Sequence, residues 1–240
     1  FQPGVAYNAG GQLFEQTQVI DQYDADVFLG TDFLQITDKI SMNGFVGAGT
    51  FSSKGESVGV FGDQTVIQGL YTVLNTEGQS GLYGYQARKI NSLYGSAEFS
   101  FAESIYLTAT ARNDWFSTLS AEGKSTPNND LYGSASISVI LSDMVELPEA
   151  ISFAKIRGGY SQVAGGANDP YGLSLTYGLV GQGHLGNPLG AINGGTIPNA
   201  FITPFEKNET EFGVDLKLFD NKLSVDLAYY SNQTLRDIVN

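Results

Sequence analysis

The stretch Phe212–Tyr230 restricts this chain more than any other. In FGVDLKLFDNKLSVDLAYY apolar and polar residues alternate, an Asp220-Asn221 turn intervenes, and the alternation resumes. Phe212, Val214, Leu216 and Leu218 share one side, while Glu211, Asp215 and Lys217 take the other. Past the turn, Leu223, Val225, Leu227 and Tyr229 oppose Ser224, Asp226, Ala228 and Tyr230. Side chains of a strand change sides at every residue, so the stretch reads as a β-hairpin with one apolar and one charged face.

The same period recurs in Lys89–Phe101, Ile105–Trp115, Leu131–Leu141 and, less cleanly, Ala154–Val163. Near the start, Phe14–Ile36 and Ile40–Phe51 complete eight predicted strands, their faces irregular. Residues 37–39, 102–104 and 220–221 read as tight turns and 142–152 as a modest one. Residues 52–86, 117–129 and 164–208 read as long loops rich in Gly, Asn and Pro. Ser142–Phe153 is the one short helix the pattern suggests, with Ser142 as its cap and Pro148 interrupting it. Long loops on one rim and short turns on the other are the habit of outer-membrane barrels.

Charge decides which face looks inward. Asp215, Lys217, Asp226, Arg112 and Glu98 are too many ions for a packed core. The apolar positions are often small (Gly95, Ala97, Ala109, Ala111, Ala135), thin filling for a core but suited to lipid. Phe99, Phe101, Trp115, Phe219 and Tyr229 stand near strand ends, as interfacial girdles do. The expected fold is all-β, an antiparallel transmembrane β-barrel segment of about eight strands. The competing reading is a soluble or surface-exposed β-sandwich, such as a carbohydrate-binding module.

Composition narrows the function. With 25 acidic against 12 basic residues the net charge is −13, which argues against a nucleic-acid partner. Cysteine is absent, so neither disulfides nor thiolate metal sites can form. No run of about 18 apolar residues offers a transmembrane helix, a test to which a barrel is invisible. FQPGVAYNAGG shows neither a basic nor an apolar signal-peptide region.

Catalytic constellations are lacking. His184 is the single histidine and sits in the Gly-rich run LVGQGHLGNP, where an exposed loop residue is expected. Glu209 and Glu211 share a face and read as lumen charge, not as a glycosidase pair. Asn168-Asp169 and Asn128-Asn129-Asp130 read as turns, without the ligand spacing of a calcium loop. GGYSQVAGG lacks the context of a phosphate loop. No enzyme and no cofactor are expected. Sugar binding wants aromatic faces and planar polar groups. Asp114, Trp115, Asn168, Asp169, Tyr171 and Tyr177 are the candidate substrate contacts, with Asn187, Phe201 and Phe205 nearby in the loops.

Several phrases resemble the SusC/RagA family of TonB-dependent outer-membrane transporters. They are IQGLYTVLN (Ile67–Asn75), RKINSLYGSAEFSF (Arg88–Phe101), YLTATARNDWFSTL (Tyr106–Leu119), LYGSASISVIL, FAKIRGGYSQVAGGANDPY (Phe153–Tyr171) and ETEFGVDLKLFDNKLSVDLAYYSNQT (Glu209–Thr234). The resemblance runs from about residue 12 to the end. It implies a 22-stranded barrel plugged by an N-terminal domain, importing oligosaccharides or peptides across the outer membrane. The implied partners are the TonB complex, a SusD-like surface lipoprotein acting as lid, and the lipid bilayer. The family's habits favour oligosaccharide as cargo. On this resemblance residues 1–240 are part of one barrel domain, an internal slice without plug or TonB box. Passive use of the same barrel, as a porin or surface antigen, is the remaining alternative.

Overall fold

The computed structural model describes residues 11–124, 126–185, 187–195, 197–199 and 201–237. Ten strands follow in chain order: β1 (Gln12–Thr37), β2 (Ile40–Thr65), β3 (Thr76–Phe101), β4 (Ile105–Phe116), β5 (Asn129–Ile140), β6 (Ile151–Gly165), β7 (Tyr177–His184), β8 (Asn187–Ile192), β9 (Phe205–Leu218) and β10 (Leu223–Leu235). Eight form one sheet in the order β1-β2-β3-β4-β5-β6-β9-β10, and β7 and β8 pair as a separate ribbon. The eight strands expected from the sequence are those of the sheet, and the ribbon falls inside the expected loop 164–208.

Contacts divide the chain into two compact units. One combines Phe51–Arg88 with the start of the chain through Tyr23, and the other holds Asp24–Thr50 and Lys89–Asn240.

The larger unit carries the two-faced sheet. Its antiparallel registers place Phe101, Ile105, Val139, Ile156, Val214 and Leu227 in one row across six strands. Two residues along, Phe99, Leu107, Ile137, Gly158, Phe212 and Tyr229 make a second row on the same face. Between these, on the opposite face, Ser100, Tyr106, Ser138, Arg157, Gly213 and Ala228 stand in line. The following row there is Glu98, Thr108, Ser136, Gly159, Glu211 and Tyr230. The hairpin alternation that opened the sequence is therefore a property of the whole sheet.

The apolar face is uncovered. Leu227 is 64% exposed and Phe212 60%. Among the described residues the buried apolar side chains are Val73, Phe116, Leu119, Ala154 and Leu173, and none of the large ones lies in those two rows. Each large apolar side chain left in water instead of buried forgoes about 1.5–3 kcal/mol. A face of this kind is stable only where something apolar replaces the water.

The short connections line one rim and bond to one another. Ala102 donates its N–H to the Lys39 carbonyl (2.7 Å), Ile140 to Ser104 (2.8 Å) and Phe219 to Ala150 (2.9 Å). The helix expected over Ser142–Phe153 is not there. A single 3-10 turn, Leu141–Asp143, is followed by irregular chain to β6. Ser142 Oγ has no hydrogen-bond partner, so it caps nothing, and Pro148 cannot continue a helical ladder.

The smaller unit corrects a second expectation. The loop foreseen at 52–86 is mostly strand, because β2 runs to Thr65 and β3 begins at Thr76. Its Gly, Ser and Gln content looks like loop, but main-chain pairing does not depend on side-chain identity. The connection 66–75 is built by hydrogen bonds. Asn75 Nδ2 donates to the carbonyls of Ile67 and Leu70 (2.8 Å each), and its Oδ1 accepts from Ile67 N–H (3.0 Å). Thr76 Oγ1 donates to the Val73 carbonyl at 2.6 Å. Strands β2 and β3 have 26 residues each, about 86 Å at ~3.3 Å per residue. A tilted strand crosses a bilayer in about 9–11 residues, so much of each strand lies outside the hydrocarbon.

Candidate functional site

The polar face of the larger unit carries the chemistry. Arg157 on β6 reaches three acids on neighbouring strands: Asp215 (2.6 Å), Asp226 (3.1 Å) and Glu211 (3.4 Å). Glycine at 213, directly opposite Arg157 in register, leaves room for the guanidinium to lie over β9. These groups are a quarter to two-thirds exposed, so water screens each pair and its contribution to stability is small. What they provide is a wet, ordered wall that fixes three strands in register.

A second cluster is tighter. Asp114 is 5% exposed. Its two carboxylate oxygens accept from Arg112 Nε at 2.9 and 3.0 Å, and Tyr132 donates its hydroxyl to Oδ2 at 2.5 Å. Arg112 also donates to Ser92 Oγ (2.9 Å) and lies 5.3 Å from the centre of the Tyr94 ring. The carboxylate is fully engaged by its neighbours.

The opposite rim bears the long connections of this unit. Phe116, Leu119 and Leu173 are buried beneath them. Gly166 lies against the Phe116 ring, where a β-carbon would come within 2.8 Å. Lys124 Nζ donates to the carbonyls of Leu119 (2.5 Å) and Ile202 (2.7 Å), which ties residues 117–124 to the segment before β9. Partial burial lowers the Lys124 amine below its usual value.

The candidates from sequence divide among these places. Asp114 and Trp115 are neighbours on β4 and so project to opposite faces. Asp114 faces the polar side in register with Ser92 and Asp130, while Trp115 stands between Asn91 and Asn129 at the loop end of the apolar side. Asn168, Asp169 and Tyr171 lie together in the exposed connection after β6. Tyr171 has φ of 66° and is 56% exposed. Tyr177 opens the ribbon opposite Ile192 and is 69% exposed. Phe201 is exposed, Phe205 half-buried, and Asn187 pairs with an exposed His184 at the end of the ribbon. Glu209 and Glu211 share the polar face, as their alternation requires.

Arg157 was not among the candidates, although its place opposite Gly213 follows once the hairpin registers are aligned. Asp26 was also missed. It accepts a hydrogen bond from the Tyr94 hydroxyl at 2.6 Å across 68 residues of sequence. No sequence periodicity links positions so far apart.

An open antiparallel sheet with an apolar outer face, an ionic inner face and loops segregated by length defines the wall of an outer-membrane β-barrel. The chain belongs to the family described as TonB dependent receptor-like, beta-barrel, which it matches over residues 2–239. It is thereby an outer-membrane protein, as the resemblance to SusC/RagA implied. Its fold is similar to a structure of the RagAB peptide transporter, at 13% identity and a TM-score of 0.74. It is also similar to the RagAB peptide importer in its 'closed-closed' state (13% identity, TM-score 0.70) and its 'open-open' state (13% identity, TM-score 0.68). Each likeness covers 93% of this chain, which spans 24% of the chain it matches. No curated protein matches the chain.

Proposed function

We propose that residues 1–240 form part of one barrel domain of a nutrient importer, taking up an oligosaccharide or a peptide across the outer membrane. One observation supports this above the others: the sheet sets uncovered apolar rows against an ionic face in strict alternation across six strands. On this reading the ionic face lines a water-filled lumen, and the loops of the other rim meet the cargo. Asn168, Asp169, Tyr171 and Tyr177 are the loop residues proposed to touch it, Asp114 holds the wall below them, and Trp115 anchors the band at the membrane surface. Gating would belong to a plug and the TonB complex, and capture to a SusD-like surface lipoprotein. The family supports these partners.

The β-sandwich alternative needs a second sheet over the apolar rows, and among the described residues nothing buries them. Uptake separates import from passive conduction. Cells given defined oligosaccharide or peptide mixtures should consume one class only when both this gene and TonB are intact. Consumption that survives loss of TonB would leave a porin, and consumption that survives loss of the gene would end the proposal.

A further inference from the structure

One group on the polar face joins β1, β2 and β3 through aromatic rings and a carboxylate. On β1 the period of two places Asp24, Asp26 and Phe28 on the same side. Phe28 meets Phe45 edge-to-face with ring centres 6.1 Å apart, and Phe45 meets Tyr94 in the same way at 6.1 Å. The Tyr94 hydroxyl donates to Asp26. Two glycines make this arrangement possible. A β-carbon at Gly47 would lie 2.8 Å from the Tyr94 ring and 3.0 Å from Phe28 Cβ, and one at Gly49 would lie 2.3 Å from Asp26 Oδ1. Tyr94 therefore crosses the bare backbone of β2 to reach β1.

The rings remain open to solvent, Phe28 at 70% and Phe45 at 41%. Other aromatics stand on this face, Tyr106 and Tyr230 among them, and what sets this pair apart is the Asp26 carboxylate on the same side of β1. Cation–aromatic attraction needs a ring face and gains from a carboxylate beside it. Both are present, and the local charge is one-sided. Between residues 24 and 50, Lys39 is the one cation, against Asp24, Asp26, Asp32 and Asp38. Arg112, on the far side of Tyr94, is already engaged by Asp114.

The geometry points to a subsite on the lumen wall in which Phe28, Phe45 and Asp26 hold a cationic side chain, that of Lys or Arg in a peptide. Tyr94 is a positioning residue that fixes the Asp26 carboxylate beside the rings. The inference rests on the import reading for its lumen, and it commits that reading to a basic peptide as cargo at this point of the wall.

Binding to the purified full-length protein in detergent tests it without transport. The probes are fluorescent Gly-Lys-Gly-Lys, the same peptide with citrulline for Lys, and a neutral maltotetraose. Gly-Lys-Gly-Lys should bind more tightly than its citrulline counterpart. Phe28→Ala and Asp26→Asn should each weaken it by about three- to thirty-fold and leave the citrulline peptide unchanged. Asp26→Glu should restore most of the loss. Gly47→Val, which displaces Tyr94, should weaken binding while Phe28, Phe45 and Asp26 are all retained. Resistance to heat on gels confirms that each variant is folded. Equal affinity for Lys and citrulline peptides, indifference to Asp26→Asn, or maltotetraose binding that depends on Asp26 would each overturn the subsite. Import of some cargo in the TonB experiment would stand in any of these cases.

Discussion

Two adjacent residues of β5 carry the sharpest consequence of the alternation. Ala135 faces Ala109 and Tyr160 on the apolar side, and Ser136 faces Thr108 and Gly159 on the polar side. Arginine near the middle of a lipid-facing strand costs about 2–4 kcal/mol, whereas arginine in a wet lumen costs little. Ala135→Arg should therefore lower folding stability in phospholipid vesicles by about 2–4 kcal/mol, and Ser136→Arg by less than about 1 kcal/mol. Urea titrations read both. Asp114 supports a second expectation. Removing Arg112 leaves a buried carboxylate with Tyr132 as its remaining partner, so Arg112→Met should cost about 1–3 kcal/mol, a range set low because Arg112 is itself 44% exposed. Arg112→Met combined with Asp114→Leu should recover part of that loss, because no charge is then stranded. A double change as costly as the sum of the single ones would show that the pair does not interact.

At the scale of elements, legibility followed the strength of the local pattern. The faces of the hairpin β9–β10 could be read from residue 212 to 230, although its connection spans 219–222 instead of 220–221 and β9 begins at Phe205 inside the expected loop. Its turn residues Phe219, Asp220 and Asn221 all have positive φ, a conformation Asp and Asn tolerate, and its flanks alternate without a break. The outer halves of β2 and β3 were hidden, since SSKGESVGVFGDQT carries the composition of a loop and its pairing partners lie a connection away. The helix expected after Leu141 failed for a related reason. Ser142 offered a cap, but the turn Leu141–Asp143 stops well before Pro148 and no helical ladder follows it. Among the candidate residues, Asn168, Asp169 and Tyr171 were placed correctly in a loop by composition. The divergence of Asp114 from Trp115 was implicit in the same period of two that found the strand. The Lys124 tie was invisible, since the two carbonyls it joins are separated by more than eighty residues. Lys124→Met should speed proteolytic nicking within 117–128 and before β9 while leaving strand content unchanged by circular dichroism. Unaltered nicking would mean that the buried Phe116, Leu119 and Leu173 hold these connections alone.

For the whole molecule, everything turns on which face meets hydrocarbon. The 240 residues contain no cysteine, so single cysteines can be introduced and labelled without background. The direct measurement is a nitroxide scan through Phe212–Leu218 and Leu223–Tyr229 in the protein reconstituted in lipid, comparing collisions with oxygen against a water-soluble nickel complex. Labels at 212, 214, 216, 225 and 227 should favour oxygen, and those at 213, 215, 217, 224 and 226 should favour the nickel complex. A scan without that period of two, or with the two sets exchanged, would contradict the account.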